Sequence, residues 1–214
     1  MSVPLAAVTL TGSLVRLETL TLDHAETLAD AAAADRSTFG LTFVPDGLDA
    51  TRNYIESLLA AWRAGGILPF AQVDVATGRA VGCTRYLDMR WWRGRDHPDE
   101  VEIGGSWLAR TAQGTGLNTE SKYLLLRQAF EVYGAWRVQI VTDARNAQSR
   151  GGIEAIGATF EGILRNHRVA RDATTPAPRH TAVYSVIVEE WPDVATHLLR
   201  RLAARGVATP EPAE

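Results

Sequence analysis

Alternating apolar and polar positions mark the strand segments of this chain. In residues 100–108, EVEIGGSWL, Val101 and Ile103 fall on one face and Glu100 and Glu102 on the other. The same signal predicts further strands at residues 14–18, 69–75, 80–88, 136–142, 158–164 and 180–188. Turn-forming residues separate the second and third of these, which therefore predict a hairpin.

Apolar residues three or four positions apart predict helices in most of the remaining intervals. The helices are expected at residues 24–34, from 51 to the glycines at 65–66, from the loop at 113–118 to about 133, after 146, and at 189–204. In the third helix, Glu120, Arg127 and Glu131 form a narrow polar line. This order of elements predicts a mixed α/β sheet flanked by helices, with some parallel pairing in the second half.

The composition agrees with one globular domain. Of 214 residues, 46% are hydrophobic and 22% charged, and no repeat or Pro/Gly-rich linker divides the chain. We therefore expect a single domain over residues 1–214, with its core at about 12–192, a last helix to about 204 and a disordered tail at 205–214. The net charge of −3 gives no reason to expect nucleic acid as a general partner.

The chain carries no signal for a membrane or a secretory pathway. No apolar run approaches the ~18 residues of a membrane span, and the N-terminus lacks the charged region of a signal peptide. Cys83 is the single cysteine, so an internal disulfide is impossible, and its apolar, strand-like surroundings favour a packed, inert thiol. We expect a cytoplasmic protein, and no metal site is predicted.

A glycine-rich loop connects the strand at 100–108 to the third helix. Its residues are Gln113, Gly114, Thr115, Gly116, Leu117 and Asn118. The first turn of a helix has backbone N–H groups without intrahelical partners, and the helix dipole adds partial positive charge there. The loop is therefore a candidate site for a phosphate or pyrophosphate. An ordinary strand-to-helix turn is the alternative interpretation.

Several blocks in the right order resemble the GNAT N-acetyltransferase superfamily, and within it the RimJ/RimL-type branch. They are VEIGGSWL, QGTGLN, NTESKYLLLRQAFE, TDARNAQSRGGIEAIGATFEGILR and YSVIVEEW, and the similarity spans about residues 12–192. The family loop, Q/R-x-x-G-x-G/A, maps onto Gln113, Gly116 and Asn118. Asn118 departs from the usual Gly or Ala, although asparagine tolerates unusual backbone angles.

The resemblance implies a strongly twisted sheet that splays apart between the fourth and fifth strands. Acetyl-CoA would lie in this opening with its pyrophosphate on the loop, and a backbone N–H near Trp107 and Leu108 would stabilise charge on the thioester oxygen. Asn146 would contact the pantetheine arm, and the Ser149 hydroxyl would protonate the departing thiolate. From the residues alone, Asn146 is equally a helix N-cap. Gly151 and Gly152 are unusual inside a helix and are expected to allow close packing or a closer approach of the cofactor.

Amide formation requires a neutral amine, so the reaction needs a general base. Glu102 is the first candidate, because it lies on the fourth strand at a position often acidic in this superfamily; Glu100 on the same face is the second. An exposed or salt-bridged strand carboxylate is the alternative for Glu102. His167 and His180 border the late loop and titrate near neutrality, so a role as base or substrate contact is open.

The acceptor pocket is expected in the least regular segments, residues 37–48, 90–99 and 166–178. Its aromatic wall would comprise Phe39, Phe43, Trp91 and Trp92, although the tryptophans would serve equally to cover core or a dimer contact. Three arginines are candidates to attract an acidic acceptor or are simply a solvated basic edge: Arg165, Arg168 and Arg171.

The predicted function is acetyl-CoA-dependent N-acetyltransfer to a primary amine, directly within a ternary complex. The acceptor is a protein N-terminus or a small-molecule amine, and a homodimer is also considered. The alternative is a non-catalytic acyl-CoA-binding or regulatory module of the same fold. A P-loop nucleotide-binding protein is disfavoured, because the loop lacks the Lys-Ser/Thr pair that such a site requires.

Overall fold

The computed structural model describes residues 4–170 and 175–208, and one eight-stranded sheet with flanking helices runs through them. The strands are β1 (Leu10–Thr11), β2 (Val15–Thr19), β3 (Ile67–Asp74), β4 (Ala80–Arg90), β5 (Glu100–Leu108), β6 (Arg137–Asp143), β7 (Thr159–Val169) and β8 (Pro178–Ile187). The helices are α1 (Ala25–Ala33), α2 (Leu48–Arg63), α3 (Leu117–Arg127), α4 (Ala147–Glu154) and α5 (Trp191–Ala203). The predicted mixed α/β fold is confirmed, and among these strands the short β1 was not predicted.

The sheet has the order β1-β2-β3-β4-β5-β6-β8-β7, and β5–β6 is its parallel pair. That pairing covers only Glu100–Ile103 against Arg137–Ile140. Beyond it, β5 runs on to Leu108 and β6 to Asp143 without pairing to each other. The predicted splay between the fourth and fifth predicted strands is therefore present, as a V-shaped opening between β5 and β6.

The two faces of the sheet are covered by different helices. On one face, α1 and α2 pack against β3 and β4 in a core that includes Cys83 and Trp107. On the other face, α3 and α5 pack against side chains that include Val101 and Ile103. Because side chains alternate along a strand, Glu102 and Gly104 lie on the α1/α2 face of β5.

A carboxylate buried in the first turn of α3 ties this helix to the start of β2. Glu120 accepts hydrogen bonds from the backbone N–H groups of Ser13, Leu14 and Val15 at 2.8, 2.7 and 2.8 Å. Its side chain and that of Arg127 are buried, whereas Glu131 is exposed, so the predicted polar line is internal over its first two members only. No helix in the described part of the chain is long and apolar enough to cross a membrane.

The predicted 166–178 loop was wrong. β7 extends to Val169 and β8 begins at Pro178, so the two ends of that segment are strand and the connection is shorter than predicted; residues 171–174 lie outside the described part. The start of the predicted disordered tail, residues 205–208, contacts the fold. Arg205 Nη1 donates to the Gly114 carbonyl at 2.7 Å, and Ser13 Oγ donates to the Ala208 carbonyl at 3.3 Å. The rest of the tail, residues 209–214, lies outside the described residues.

Candidate active site

The glycine loop follows β5 at the mouth of the V-shaped opening. Gly114 and Gly116 have φ angles of +76° and +103°, which side-chain-bearing residues rarely adopt. Gly116 is the N-cap of α3, and Leu117 and Asn118 begin the helix. The first backbone N–H groups of α3 therefore have no intrahelical acceptor, and the helix dipole makes this end positive. These features suit an anionic ligand.

Side chains within and beside the loop hold its shape. Gln113 Nε2 donates to the Leu108 carbonyl at 3.0 Å and to Thr38 Oγ1 at 3.1 Å, which fastens the loop to the end of β5. Thr115 Oγ1 donates to the Ala112 carbonyl at 2.8 Å. Gln113 thus braces the loop from within, and the backbone N–H groups and the nearby Arg205 guanidinium supply its positive potential.

A cavity of about 560 Å³ lies behind this loop, between α1, the β3–β4 turn and residues 109–117. Its lining includes Asp30, Asp74 and Arg79 but neither Glu102 nor Ser149. The Arg79 guanidinium is paired with Asp30 at 2.7 Å. This cavity is therefore separate from the opening between β5 and β6.

A β-bulge interrupts β5 beside the opening. Trp107 pairs with Cys83 but Gly104 pairs with Arg85, so Gly105 and Ser106 together oppose one residue of β4. Gly105 has a φ of +57°. The side chains of Trp107 and Leu108 are buried in opposite cores, so only their backbone is available to a ligand. That backbone lies beyond the last β5–β6 pair.

Asn146 and Ser149 lie at the end of β6, across the opening from the loop. The Asn146 side chain accepts a hydrogen bond from the Ser149 backbone N–H at 3.0 Å, so the N-cap interpretation is confirmed. The Ser149 hydroxyl is half-buried and has no hydrogen-bond partner among the described residues. A Cβ added to Gly151 or Gly152 would meet nothing within 4 Å. Close packing within the protein therefore does not require these glycines.

Glu102 is buried, with 1% of its surface exposed, and carries a bidentate ion pair. Arg168 on β7 donates to its two oxygens at 2.7 and 3.2 Å, and Gln139 Nε2 donates at 3.3 Å. Burial raises the pKa of the Glu102 carboxyl, and the Arg168 guanidinium opposes that rise. Arg168 also pairs with Asp88 at 2.7 Å. The carboxylate is thus buried and salt-bridged, not solvent-facing.

The other candidate bases have separate roles in the structure. Glu100, at the start of β5, is buried between Arg137 at 3.3 Å and Arg90 at 3.6 Å. His180 Nδ1 accepts a hydrogen bond from the Asn166 backbone at 3.1 Å. His167 and His180 were predicted to border a loop. His167 lies on β7 and His180 on β8, because the β7–β8 hairpin is longer than expected.

The single cysteine and the three candidate arginines have different environments. Burial raises the pKa of the Cys83 thiol to about 12, so this cysteine is packed and inert, as predicted. Arg165 is exposed on β7, Arg168 is neutralised by Glu102 and Asp88, and Arg171 lies outside the described residues.

The four predicted aromatic wall residues do not come together. Phe39 is buried and packs edge-on against Trp107 at 5.8 Å, so it belongs to the core. Phe43 is half exposed and contacts the ring of Tyr54 at 6.0 Å. Trp91 and Trp92 follow β4 at the far end of β5 from the bulge, where Trp92 packs on Trp136 at 6.4 Å. Phe39 and Phe43 lie in the connection between α1 and α2, and Trp91 and Trp92 lie in that between β4 and β5. Where these two connections pack is a tertiary property, which the periodicity of the sequence does not specify.

Sequence reasoning missed three polar residues around the bulge. On the α3 face, buried Lys122 donates to Ser106 Oγ at 2.6 Å and lies 3.4 Å from Thr84 Oγ1. On the other face, the Arg85 guanidinium lies against Gly105, and its Nη1 is 3.5 Å from the Tyr54 hydroxyl. Lys122 had one available signal, since it is the only lysine of the chain.

Comparisons with known proteins agree with this geometry. Residues 15–159 match the family model described as an acetyltransferase (GNAT) domain. A candidate acetyltransferase from T. thermophilus is 34% identical, with a TM-score of 0.76 over 91% of this chain and 96% of that one. A GCN5-related N-acetyltransferase from Brucella melitensis is 25% identical, with a TM-score of 0.77 over 92% and 88%.

One similar structure contains a form of the predicted cofactor. Mycobacterium smegmatis RimJ in complex with CoA-disulfide is 21% identical, with a TM-score of 0.73 over 95% of each chain. At this identity the likeness shows the fold alone. A search of curated proteins found no match.

Proposed function

The chain belongs to the GNAT acetyltransferase family and is an enzyme, and from that premise we propose that it transfers an acetyl group from acetyl-CoA to a primary amine in a ternary complex. The observation that carries the proposal is the V-shaped opening between β5 and β6, with the glycine loop at its mouth. Acetyl-CoA, when bound, supplies an acyl group activated as a thioester.

The residues around the opening fit this cofactor. Gly114 and Gly116 permit a backbone that presents N–H groups to a pyrophosphate, and Arg205 adds a positive charge beside them. Asn146 caps α4 on the opposite side, and the backbone of Trp107 and Leu108 is free of β6. We assign the cofactor to this set together with Gln113, Thr115, Leu117, Asn118 and Ser149.

We assign the role of general base to Glu102. Burial makes its carboxylate more basic than an exposed one, and Arg168 keeps it ionised and fixed in position. Since both of its oxygens accept hydrogen bonds from Arg168, proton removal from the amine proceeds through a water molecule or follows a shift of that arginine. The unpartnered Ser149 hydroxyl is the proton donor to the departing thiolate.

The acceptor distinguishes two forms of the proposal. The RimJ/RimL-type resemblance of the sequence favours a protein N-terminal amine, whereas the core location of Phe39 and the distance of Trp92 leave little of the predicted aromatic wall at the site. A small-molecule amine is the second candidate. Cytoplasmic location and a homodimer stay predictions.

Release of CoA in the presence of a panel of amines and N-terminal peptides tests the function. Glu102→Gln is expected to lower kcat by about 10²- to 10⁴-fold, the usual contribution of a general base, while acetyl-CoA still binds. Glu100→Gln separates the two candidate bases, and Glu56→Gln is a control on the exposed face of α2.

The alternative function, a non-catalytic acyl-CoA-binding module, predicts a different result. Tight acetyl-CoA binding without turnover on any acceptor, and without an effect of Glu102→Gln, would establish that alternative. Loss of turnover in Glu100→Gln alone would transfer the role of base to Glu100.

A further inference from the structure

The α1/α2 face of the bulge holds an arginine that has no counter-charge. Within residues 4–170 and 175–208, Arg85 has no carboxylate partner, and its one hydrogen bond is the 3.5 Å contact to the Tyr54 hydroxyl. Arg168 on the same face, by contrast, is paired with both Glu102 and Asp88. A half-buried guanidinium without a carboxylate lacks the interaction that usually offsets its desolvation.

The Tyr54 hydroxyl lies beside this arginine, and the Trp107 indole lies next to that hydroxyl. Burial raises the pKa of the Tyr54 hydroxyl to about 12, so the phenol keeps its proton. The Trp107 indole N–H lies against this hydroxyl and opposes that rise, although its buried Nε1 makes no hydrogen bond of regular geometry among the described residues. Tyr54 therefore remains a hydrogen-bond donor beside the guanidinium.

The glycines of β5 leave room for this arrangement. A Cβ on Gly105 would lie 2.5 Å from Arg85 Cζ, so any larger residue there would displace the guanidinium. A Cβ on Gly104 would lie 3.0 Å from Glu102 Oε1. The two glycines are consecutive, and successive strand residues are about 3.3 Å apart. The Glu102 carboxylate therefore lies over Gly104, and the Arg85 guanidinium lies over the next residue, Gly105.

On the basis of the proposed function, we propose that Arg85 and Tyr54 bind an anionic oxygen group of the acceptor, so that the substrate is an amine that also carries a carboxylate. A carboxylate has the charge that Arg85 lacks and accepts hydrogen bonds from several donors at once. Its amine would then lie toward Glu102, only a few bonds away. Phe43, which is half exposed, packs on Tyr54 beside this site.

Matched substrates test the proposal. Acetyl transfer is measured on L-amino acids and on their primary amides, and on peptides with Glu or Gln as the second residue, with wild type, Arg85→Gln, Arg85→Lys and Tyr54→Phe. Because an amide also changes the basicity of its amine, the decisive quantity is the change in the carboxylate-to-amide ratio of kcat/KM. Arg85→Gln is expected to lower this ratio about 10- to 100-fold through KM.

The controls distinguish this inference from the proposed function. Arg85→Lys should keep part of the preference, and Arg52→Gln, an exposed change on α2, should keep all of it. If both the carboxylate and the amide substrates are acetylated, and Arg85→Gln leaves the ratio of their kcat/KM values unchanged, acetyl transfer is supported and the anion site is overturned. An equal loss of kcat on both partners would also overturn it, because Arg85 would then act on the thioester.

If no amine is acetylated, binding still decides the question. Thermal stabilisation by N-acetylglycinate and by N-acetylglycinamide is compared in the presence of CoA. Stabilisation by the carboxylate alone, lost in Arg85→Gln, would support the anion site although the proposed function had failed. Equal effects of both probes, or no effect of either, would overturn it.

Discussion

The sole lysine of the chain makes a quantitative prediction possible. Lys122 is buried, with 4% of its surface exposed, and its ammonium group meets hydroxyls rather than carboxylates. Burial lowers its pKa from 10.5 to about 7. Each pH unit between these values corresponds to about 1.4 kcal/mol. At pH 7 the burial of this amine therefore lowers the free energy of unfolding by on the order of 5 kcal/mol, compared with a side chain that never carries a charge.

The sign of the pH dependence follows from the same values. Between pH 7 and 10.5 the unfolded chain holds a proton that native Lys122 has released, so the free energy of unfolding rises with pH, by up to about 1.4 kcal/mol per unit. Below pH 7 both states are protonated and this contribution to the slope vanishes. Lys122→Met removes the contribution, and Ser106 and Thr84 retain their own contact at 2.8 Å.

Urea denaturation of wild type and Lys122→Met at several pH values between about 7 and about 8.6 measures the difference. Higher pH is avoided, because the unfolded Cys83 thiol, with its usual pKa of 9.0, ionises there and lowers the stability of both proteins. In protein labelled with ¹⁵N-lysine, the single Nζ resonance reports the pKa directly. A stability difference that does not change with pH, or an Nζ titration above about pH 9, would refute the reasoning.

Three more predictions concern the site. Gly116→Ala should destabilise the fold by about 1–3 kcal/mol and weaken CoA binding measured by calorimetry, since φ is +103° and the added Cβ would lie 3.2 Å from Leu14 and Arg205; Gly66→Ala, at a glycine with negative φ, is its control. Arg168→Gln should raise the pKa of Glu102 and move the acid limb of the kcat/KM profile up by about 1 pH unit or more; an unmoved limb would mean that Glu102 is not the base. Gly151→Ala and Gly152→Ala should each stabilise α4 by about 1 kcal/mol in thermal denaturation, and weaker CoA binding in either would mark that glycine as a cofactor contact.

The periodicity of the sequence was sufficient to predict most elements of the fold. Alternation located β5 to the residue, because its apolar and charged positions alternate without interruption from Glu100 to Ile103. It failed at the end of β7, where almost every side chain from Thr159 to Val169 is exposed and the apolar contrast is absent. The opening between β5 and β6 came from the family resemblance, since no local pattern encodes the divergence of two strands.

The partners of the site residues could not be predicted, because they depend on strand register. Glu102 meets Arg168, 66 residues away, only because β7 pairs with β8 and β8 with β6. In the sequence, Arg85 occupies an ordinary polar position in the alternating pattern of β4. No local signal shows that it lies opposite the bulge of β5. Lys122 is the only lysine of the chain, and lysine, unlike arginine, shifts its pKa readily when buried. Its burial against Ser106 depends on the packing of α3 and was not evident from the sequence.

The bulge at Gly105 and Ser106 also bears on the solubility of the protein. Where β5 leaves β6, it presents main-chain groups without a strand partner, and such an edge is a template for aggregation. A bulge twists the edge and spoils its fit to another strand. Deletion of Gly105 would remove the bulge, and we expect this variant to self-associate more readily than wild type in size-exclusion chromatography.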